Sequence, residues 1–415
     1  MLVYQKISYL CSMMKRGTLL IVALLMAMTI MAQKTAVSGT VVDASTGEPV
    51  MGASVTADGL SVVTNADGFF TLKSEQAPEA VVVTHVGYRS RRVAVTGEQL
   101  TVRLQPTVIQ LHEVLVMADN PRELVQAAIA KIPQNYSRKP ELYNCFYRET
   151  AMKRQHHITV AEGVVSMYKS SVGTGPGRDR VAINKGRRLL SPKQSDTLGV
   201  KVLGGPVTAV QLDIVKNRDF LLNDDDLACY ELKMETPTTI ADRSQYVVSL
   251  TPSVTMPYAL YNGKLYIDQE TLAFTRVELS LDMNDRQKAT EAMLVRKPLG
   301  VRFRPRELSL LVDYRKGADG VMRLSYMRTT FRFNCDWKRR LFATSFTATC
   351  EMAVTSTTDR DVQPIRGRDS FDQRDAFFDK VDFFRDPAFW EDYNIIEPTE
   401  SLDKAIGRLL KKYQQ

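Results

Sequence analysis

The stretch Val37-Ser38-Gly39-Thr40-Val41-Val42-Asp43, followed by Thr46-Gly47-Glu48-Pro49-Val50 and Gly52-Ala53-Ser54-Val55, decides the fold of the N-terminal part. Short apolar runs alternate with polar residues at period two, and Gly, Asp and Pro separate them. The pattern continues through Thr64-Asn65-Ala66-Asp67-Gly68-Phe69-Phe70 and His85-Val86-Gly87-Tyr88. Strands are predicted at Val37–Asp43, Ala53–Ala57, Phe69–Lys73, Ala80–His85, Arg92–Val95 and Leu100–Gln105. In the last, Leu100, Val102 and Leu104 alternate with Thr101, Arg103 and Gln105, so one face is buried and the other wet. Asp67-Gly68 supplies a positive-φ turn, and Thr46-Gly47-Glu48-Pro49 a second turn. Residues 33–117 therefore read as a small all-β sandwich.

Four elements of this stretch, G-x-V-x-D, T-G-E-P-V-x-G-A, T-x-x-x-G-x-F and V-G-Y, resemble the carboxypeptidase-regulatory-like domain, a transthyretin-like β-sandwich of bacterial cell-envelope proteins. Leu111-His112-Glu113-Val114-Leu115-Val116-Met117 resembles the strand that follows this domain in TonB-dependent outer-membrane receptors of Bacteroidetes. The remaining chain is too short for the plug and large barrel of such a receptor. The resemblance implies a non-catalytic module, since in metallocarboxypeptidases the domain is an appendage to the catalytic unit.

Upstream, Lys15 and Arg16 precede the apolar run Leu19–Met28, and Ala32 precedes Gln33. That is the layout of a secretory signal, so residues 1–32 are expected to be removed by cleavage between Ala32 and Gln33. The formal net charge is +8, of which Lys6, Lys15 and Arg16 contribute three, leaving +5 for the exported part. That mild excess carries no run of basic and stacking residues, so nucleic acid is not an expected partner.

Downstream, Asp119-Asn120-Pro121 opens a helix in a linker at 118–139, with Leu124, Ala128 and Ile132 on one face and Pro133 at or just past its end. Residues 140–358 read as a larger antiparallel sheet. Its clearest strand alternates Val277, Leu279, Leu281 and Met283 with Arg276, Glu278, Ser280 and Asp282. Hairpin turns are predicted at Asn262-Gly263 and at Ala318-Asp319-Gly320. Consecutive hairpins with one apolar face imply a sheet curled around a helix or a lipid-sized cavity. The run Gly263–Asp268 with Glu270–Phe274 resembles the half-barrel of periplasmic lipoprotein carriers. Residues 172–206, rich in Gly and Arg, are read as a partly ordered insertion. Residues 359–415 form an aromatic-rich tail, with Phe371, Phe377, Phe378, Phe383, Phe384, Phe389, Trp390 and Tyr393 expected to latch onto a sheet edge, and a final helix over Leu402–Tyr413.

Candidate chemistry is sparse. The histidines are His85, His112, His156 and His157, with neither HExxH nor HxxE among them. His85 is read as a hydrogen-bonded structural residue. Gly52-Ala53-Ser54-Val55-Thr56 lacks the last Gly of a nucleophile elbow, and Gly173-x-Gly175-x-Gly177 is not a dinucleotide spacing. Asp224-Asp225-Asp226 reads as a solvated turn rather than a calcium loop, and Arg178 to Arg188 as a solvated basic loop. Cys145, Cys229, Cys335 and Cys350 show no CxxC spacing and read as small buried residues first and as disulfide partners second. No catalytic, cofactor-binding or metal-binding residue is assigned, and no cofactor is expected. The expectation is a mainly β, non-catalytic exported protein of the periplasm or outer membrane. It would act as an interaction or adaptor module toward an envelope protein or outer-membrane component, with an apolar or lipid ligand in the second domain. The alternative is an envelope hydrolase, peptidase or carbohydrate-active, with an unrecognised site.

Overall fold

The computed structural model describes residues 34–97, 99–107, 120–193, 201–202, 204–337, 343–372, 375–383, 389–390 and 392–413. The signal segment with Ala32 and Gln33, the strand-like run Leu111–Met117 with His112, and Phe384 lie outside these residues.

Seven strands build the N-terminal lobe: β1 (Thr35–Asp43), β2 (Ser54–Ala57), β3 (Leu60–Val63), β4 (Phe69–Ser74), β5 (Ala80–Thr84), β6 (Arg91–Ala94) and β7 (Gln99–Leu104). They form two sheets, β4-β1-β7 and β3-β2-β5-β6, with β1 and β7 parallel. Strand β3 is additional to the predicted set. It pairs with β2 through a two-residue turn at Asp58-Gly59, too short to leave a gap in the sequence pattern. Val41, Val55, Phe70, Leu72, Val83 and Val102 are fully buried between the sheets. The sequence motifs converge on Asp43. Its Oδ1 accepts from the Ser45 and Thr46 amides (2.6 and 2.9 Å), and its Oδ2 accepts from Tyr88 Oη (2.8 Å). Gly39 leaves room for Phe70: a Cβ there would lie 2.6 Å from Leu100 O and 2.9 Å from the Phe70 ring.

Helix α1 (Pro121–Asn135) is capped by Asn120, whose side chain accepts from the Arg122 and Glu123 amides (3.1 and 3.4 Å). It runs two residues past Pro133, because a proline in the last turn removes only one helical hydrogen bond. Beyond it come β8 (Glu141–Lys153), β9 (His156–Lys169), β10 (Arg180–Leu190), β11 (Lys201–Val202), α2 (Thr208–Gln211), α3 (Asp224–Ala228), β12 (Tyr230–Ile240), β13 (Arg243–Pro252), β14 (Tyr261–Asp268) and β15 (Phe274–Leu281). Next are α4 (Arg286–Met293), β16 (Leu294–Arg296), β17 (Val301–Lys316), β18 (Met322–Trp337), β19 (Thr344–Thr358), β20 (Asp382–Phe383) and α5 (Glu400–Tyr413). Eleven of these strands join in one sheet, ordered β12-β13-β14-β15-β17-β18-β19-β8-β9-β10-β20.

The sheet curls around α1. Arg122 on this helix donates to Tyr230 O on edge strand β12 (2.9 Å), while Ser137 O, just past the helix, accepts from Val172 N after β9 (2.9 Å). In a flat sheet those strands would stand roughly 38 Å apart, at about 4.8 Å per interval. Leu124, Val125, Ala128 and Ile132 sit in the same core as residues of β8–β10, β12–β15 and β17–β19. The helix is thus more than a linker, since its apolar face fills the curl.

Two sequence expectations are corrected. Asn262-Gly263 is not a turn but lies inside β14, with Gly263 opposite both Leu250 and Leu279. The β14–β15 reversal uses residues 269–273 instead, where Asp268 Oδ1 accepts from the Glu270 and Thr271 amides. Gly263 is needed for strand proximity, because a Cβ there would meet Glu278 O at 2.1 Å. Residues 172–206 are not an insertion throughout. Arg180–Leu190 is β10, paired with β9 across a bulge between Ile183 and Lys185. Its small and charged residues pack against the C-terminal segment, so they do not alternate as in a strand with one wet face. Ala318-Asp319-Gly320 does form the β17–β18 turn.

Replacing Gly263 with Ala is expected to cost about 1–3 kcal/mol through overpacking against backbone. A lowered thermal midpoint, with far-ultraviolet dichroism retained below it, checks this.

Candidate functional site

Side chains on the concave face form two clusters. One surrounds α1, α2 and α3. The other holds Ala289 and Met293 of α4 against Phe303, Phe333 and Phe346. Between the two coverings lies a cavity of about 340 Å³. Its floor is Leu308 and Leu310 of β17, Thr329 and Phe331 of β18, and Cys350 of β19, all placed by the period-two alternation. Leu212, Phe220 and Tyr261 close its sides, and Thr208, Gln211 and Asn217 are its polar lining. Among the described residues no charged side chain lines it. The rim polar groups are partly satisfied within the chain: Thr208 Oγ1 donates to Gly205 O (2.5 Å) and Asn217 Nδ2 to Gln211 O (2.7 Å). Burial, with Glu149 nearby, pushes the Cys350 thiol well up, so it stays protonated and is a poor nucleophile.

Polar clamps hold the covering segment. Glu149 Oε1 accepts from Tyr147 Oη (2.6 Å) and from Gly205 N (2.8 Å). Asp213 pairs with Lys169 and accepts from Tyr314 Oη (2.9 Å). Lys216 pairs with Asp179 at 2.6 Å. The cavity wall is therefore pinned to β8, β9 and β17.

The convex face carries a second buried group. Register sets Glu162 on β9 directly opposite Arg148 on β8 and Arg187 on β10. Glu162 bonds Arg148 at 2.7 Å and Arg187 at 3.0 Å, and accepts from Trp390 Nε1 at 3.1 Å. Burial alone would raise its carboxyl pKa, but the two guanidiniums outweigh that and hold it below the ordinary 4.5. Here the basic stretch and the aromatic tail, read separately in the sequence, meet. Lys185 Nζ lies 4.2 Å from the Phe389 ring centre, and Arg188, which the strand alternation turns to the other face, has its guanidinium 4.7 Å from the Phe378 ring centre. Strand β20 pairs with β10, so the tail covers that sheet edge. Lys185, Arg187 and Arg188 are thus packed strand residues rather than a solvated loop, whereas Arg178 and Arg180 at the other end of the cluster are exposed.

The tail also reaches the sandwich. Asn394 exchanges two hydrogen bonds with the Lys73 backbone (2.7 and 2.9 Å), Asn65 Nδ2 donates to Pro398 O (2.9 Å), and Glu400 N donates to Asp67 Oδ2 (2.7 Å). The sandwich rests on the convex face, with Val63 packed among Phe146, Val164, Tyr326 and Trp390.

The remaining sequence candidates stay apart. His85 Nδ1 lies 3.0 Å from Val86 O, edge-on to Tyr88, and burial beside Arg276 lowers its pKa to about 4. His156 is exposed at the start of β9, and His157 follows it with its pKa lowered by burial. Asp224-Asp225-Asp226 is not a turn but the first turn of α3, capped by Asn223. Among the described residues no group of three His, Cys, Asp or Glu side chains could hold a metal. Cys145, Cys229, Cys335 and Cys350 are free thiols; in the ladder Cys335 faces Thr344 and Cys350 faces Thr329. Among the described residues no helix is long and apolar enough to cross a membrane.

Residues 37–116 match the family model of the CarboxypepD_reg-like domain, so the N-terminal lobe is a domain of that family. No curated protein matches the chain. Among solved structures, a proposed outer membrane lipoprotein-sorting protein domain from Vibrio parahaemolyticus aligns over 60% of this chain and 97% of its own, at 9% identity and a TM-score of 0.26. A DUF1329 family protein from Desulfovibrio piger aligns over 59% and 95%, at 12% identity and a TM-score of 0.24. A proposed membrane-associated protein of unknown function from Bacteroides fragilis aligns over 78% and 98%, at 9% identity and a TM-score of 0.16. These likenesses are slight, and the reading of the second lobe rests on this chain's own geometry.

Replacing Glu162 with Gln leaves two guanidiniums facing a neutral amide and is expected to cost about 3–5 kcal/mol. Folding lowers the Glu162 pKa, so its contribution is complete above the ordinary value of 4.5 and is lost as pH falls through the folded-state value below it. Denaturant melts of wild type and Glu162→Gln, followed from neutral pH into acid, should converge only at the acid end.

Proposed function

We propose that this chain is an exported, non-catalytic envelope protein whose curled sheet holds an apolar chain and whose sandwich serves as its adaptor lobe. The observation that carries the reading is the uncharged cavity floored by Leu308, Leu310 and Phe331 on the concave face. Its volume falls in the range of small-ligand sites. Each methylene buried there contributes about 0.8 kcal/mol, so a chain seating about ten gains about 8 kcal/mol before the cost of ordering it, which makes micromolar an upper bound on affinity. A charged headgroup would find no counter-ion inside and would stay at the rim beside Gln211 and Asn217. The signal-like leader supports export, and the regulatory-like lobe supports a role in contacts rather than turnover.

Mature protein is expected to carry extractable lipid or to bind a fluorescent acyl-chain probe saturably. Leu310→Trp, which fills the cavity, should weaken probe binding at least about tenfold while a cooperative melt is retained. Absence of both co-purified lipid and saturable probe binding would remove the apolar-ligand reading.

A further inference from the structure

Several arginines of the curled sheet along the contact between the two lobes are matched by acids. Arg276 meets Glu278 and Asp313, Arg243 meets Asp268 and Glu270, and Arg323 meets Glu141 and Asp319. Arg315, on the same convex face, has no acidic partner among the described residues. Its Nη1 donates to Ser54 Oγ (3.1 Å) and to Ser61 Oγ, and its other donors have no protein acceptor among the described residues. Desolvation without a counter-charge pushes this guanidinium down to about 10. Arg315 also lines a groove of about 920 Å³ between the β2–β3 turn and the β17–β18 turn. Lys316 and Arg92 line the same groove, and two of its carboxylates, Glu141 and Asp319, are already taken by Arg323. Asp58, Glu79 and Asp359 complete its charged lining. A polyanion would meet those carboxylates, whereas a molecule with a single anionic group would not need to.

We propose that this inter-lobe groove is a binding site for a small polar molecule with one carboxylate or phosphate, seated on Arg315. The guanidinium supplies a fork matched to either oxyanion, and Ser54 and Ser61 hold it in place. The site lies on the opposite face of the sheet from the apolar cavity and does not depend on it.

The test is calorimetric titration of mature protein, at low ionic strength, with N-acetylglycine, its carboxamide and inorganic phosphate. Saturable binding of one or both anions and none of the carboxamide is expected, and which anion binds distinguishes a carboxylate from a phosphate ligand. Arg315→Gln should lower affinity at least about tenfold, Arg315→Lys less, and exposed Arg302→Gln not at all. Leu310→Trp should leave anion binding intact, which separates this site from the acyl-chain reading. Failure of both anions to bind wild type saturably, or equal binding by Arg315→Gln, overturns the proposal. So does a result in which Arg315→Gln only lowers the melting temperature and wild type binds neither anion, for that marks Arg315 as a bolt between the lobes.

Discussion

An eleven-stranded sheet with apolar side chains on both faces cannot stand alone in water, and covering those two faces dictates the rest of the molecule. On the concave side α1, α2, α3 and α4 do the covering. On the convex side the sandwich, Phe389, Trp390 and Tyr393 of the tail and α5 do it, with Leu402, Ile406 and Leu409 packed on Val160 and Leu189, while Phe371 and Phe377 of the tail join the concave core. The cavity and the inter-lobe groove lie where coverings of different origin meet. Rigid elements of different curvature pack against one sheet imperfectly, and the places where they fail to fill space become cavities.

The polar interior follows the same logic. Strand register, rather than loop geometry, sets Arg148, Glu162 and Arg187 in a row across three strands. Such a row inside the ladder needs no lid to order it, only a cover that excludes water, which Trp390 and Ile396 provide. The buried ions gain their partners from the sheet and their low dielectric from the tail.

Much of this was legible in the sequence. The sandwich strands and their turns could be read because one face is wet and the alternation is clean, as at Leu100, Val102 and Leu104. The capped helix announced itself through Asn120-Pro121. Strand β10 could not be read, since Lys185, Arg187 and Arg188 face aromatic rings and a carboxylate contributed by distant residues, and Gly186 lies against Val381. Gly263 imitates a turn after Asn262, although its demand comes from the neighbouring strand. The cavity residues Leu308, Leu310 and Phe331 were visible only as core, because a wall and a packed interior have the same composition. Arg315 carried no local signal: its lack of an acid is a fact about three-dimensional neighbours.

The strap that runs from Trp390 to Glu400 has a consequence for how the chain assembles. Its bonds to Lys73 join residues 321 positions apart, and Asn65 to Pro398 spans 333. Contacts of such separation close late and slowly. The sandwich has a core of its own and can form early, as a chain emerges from its N-terminus. Until the strap arrives, Phe146, Val164 and Tyr326 lack the cover of Trp390. A half-made molecule therefore presents an adhesive apolar surface, which makes the interval before closure the period in which a chaperone would be needed.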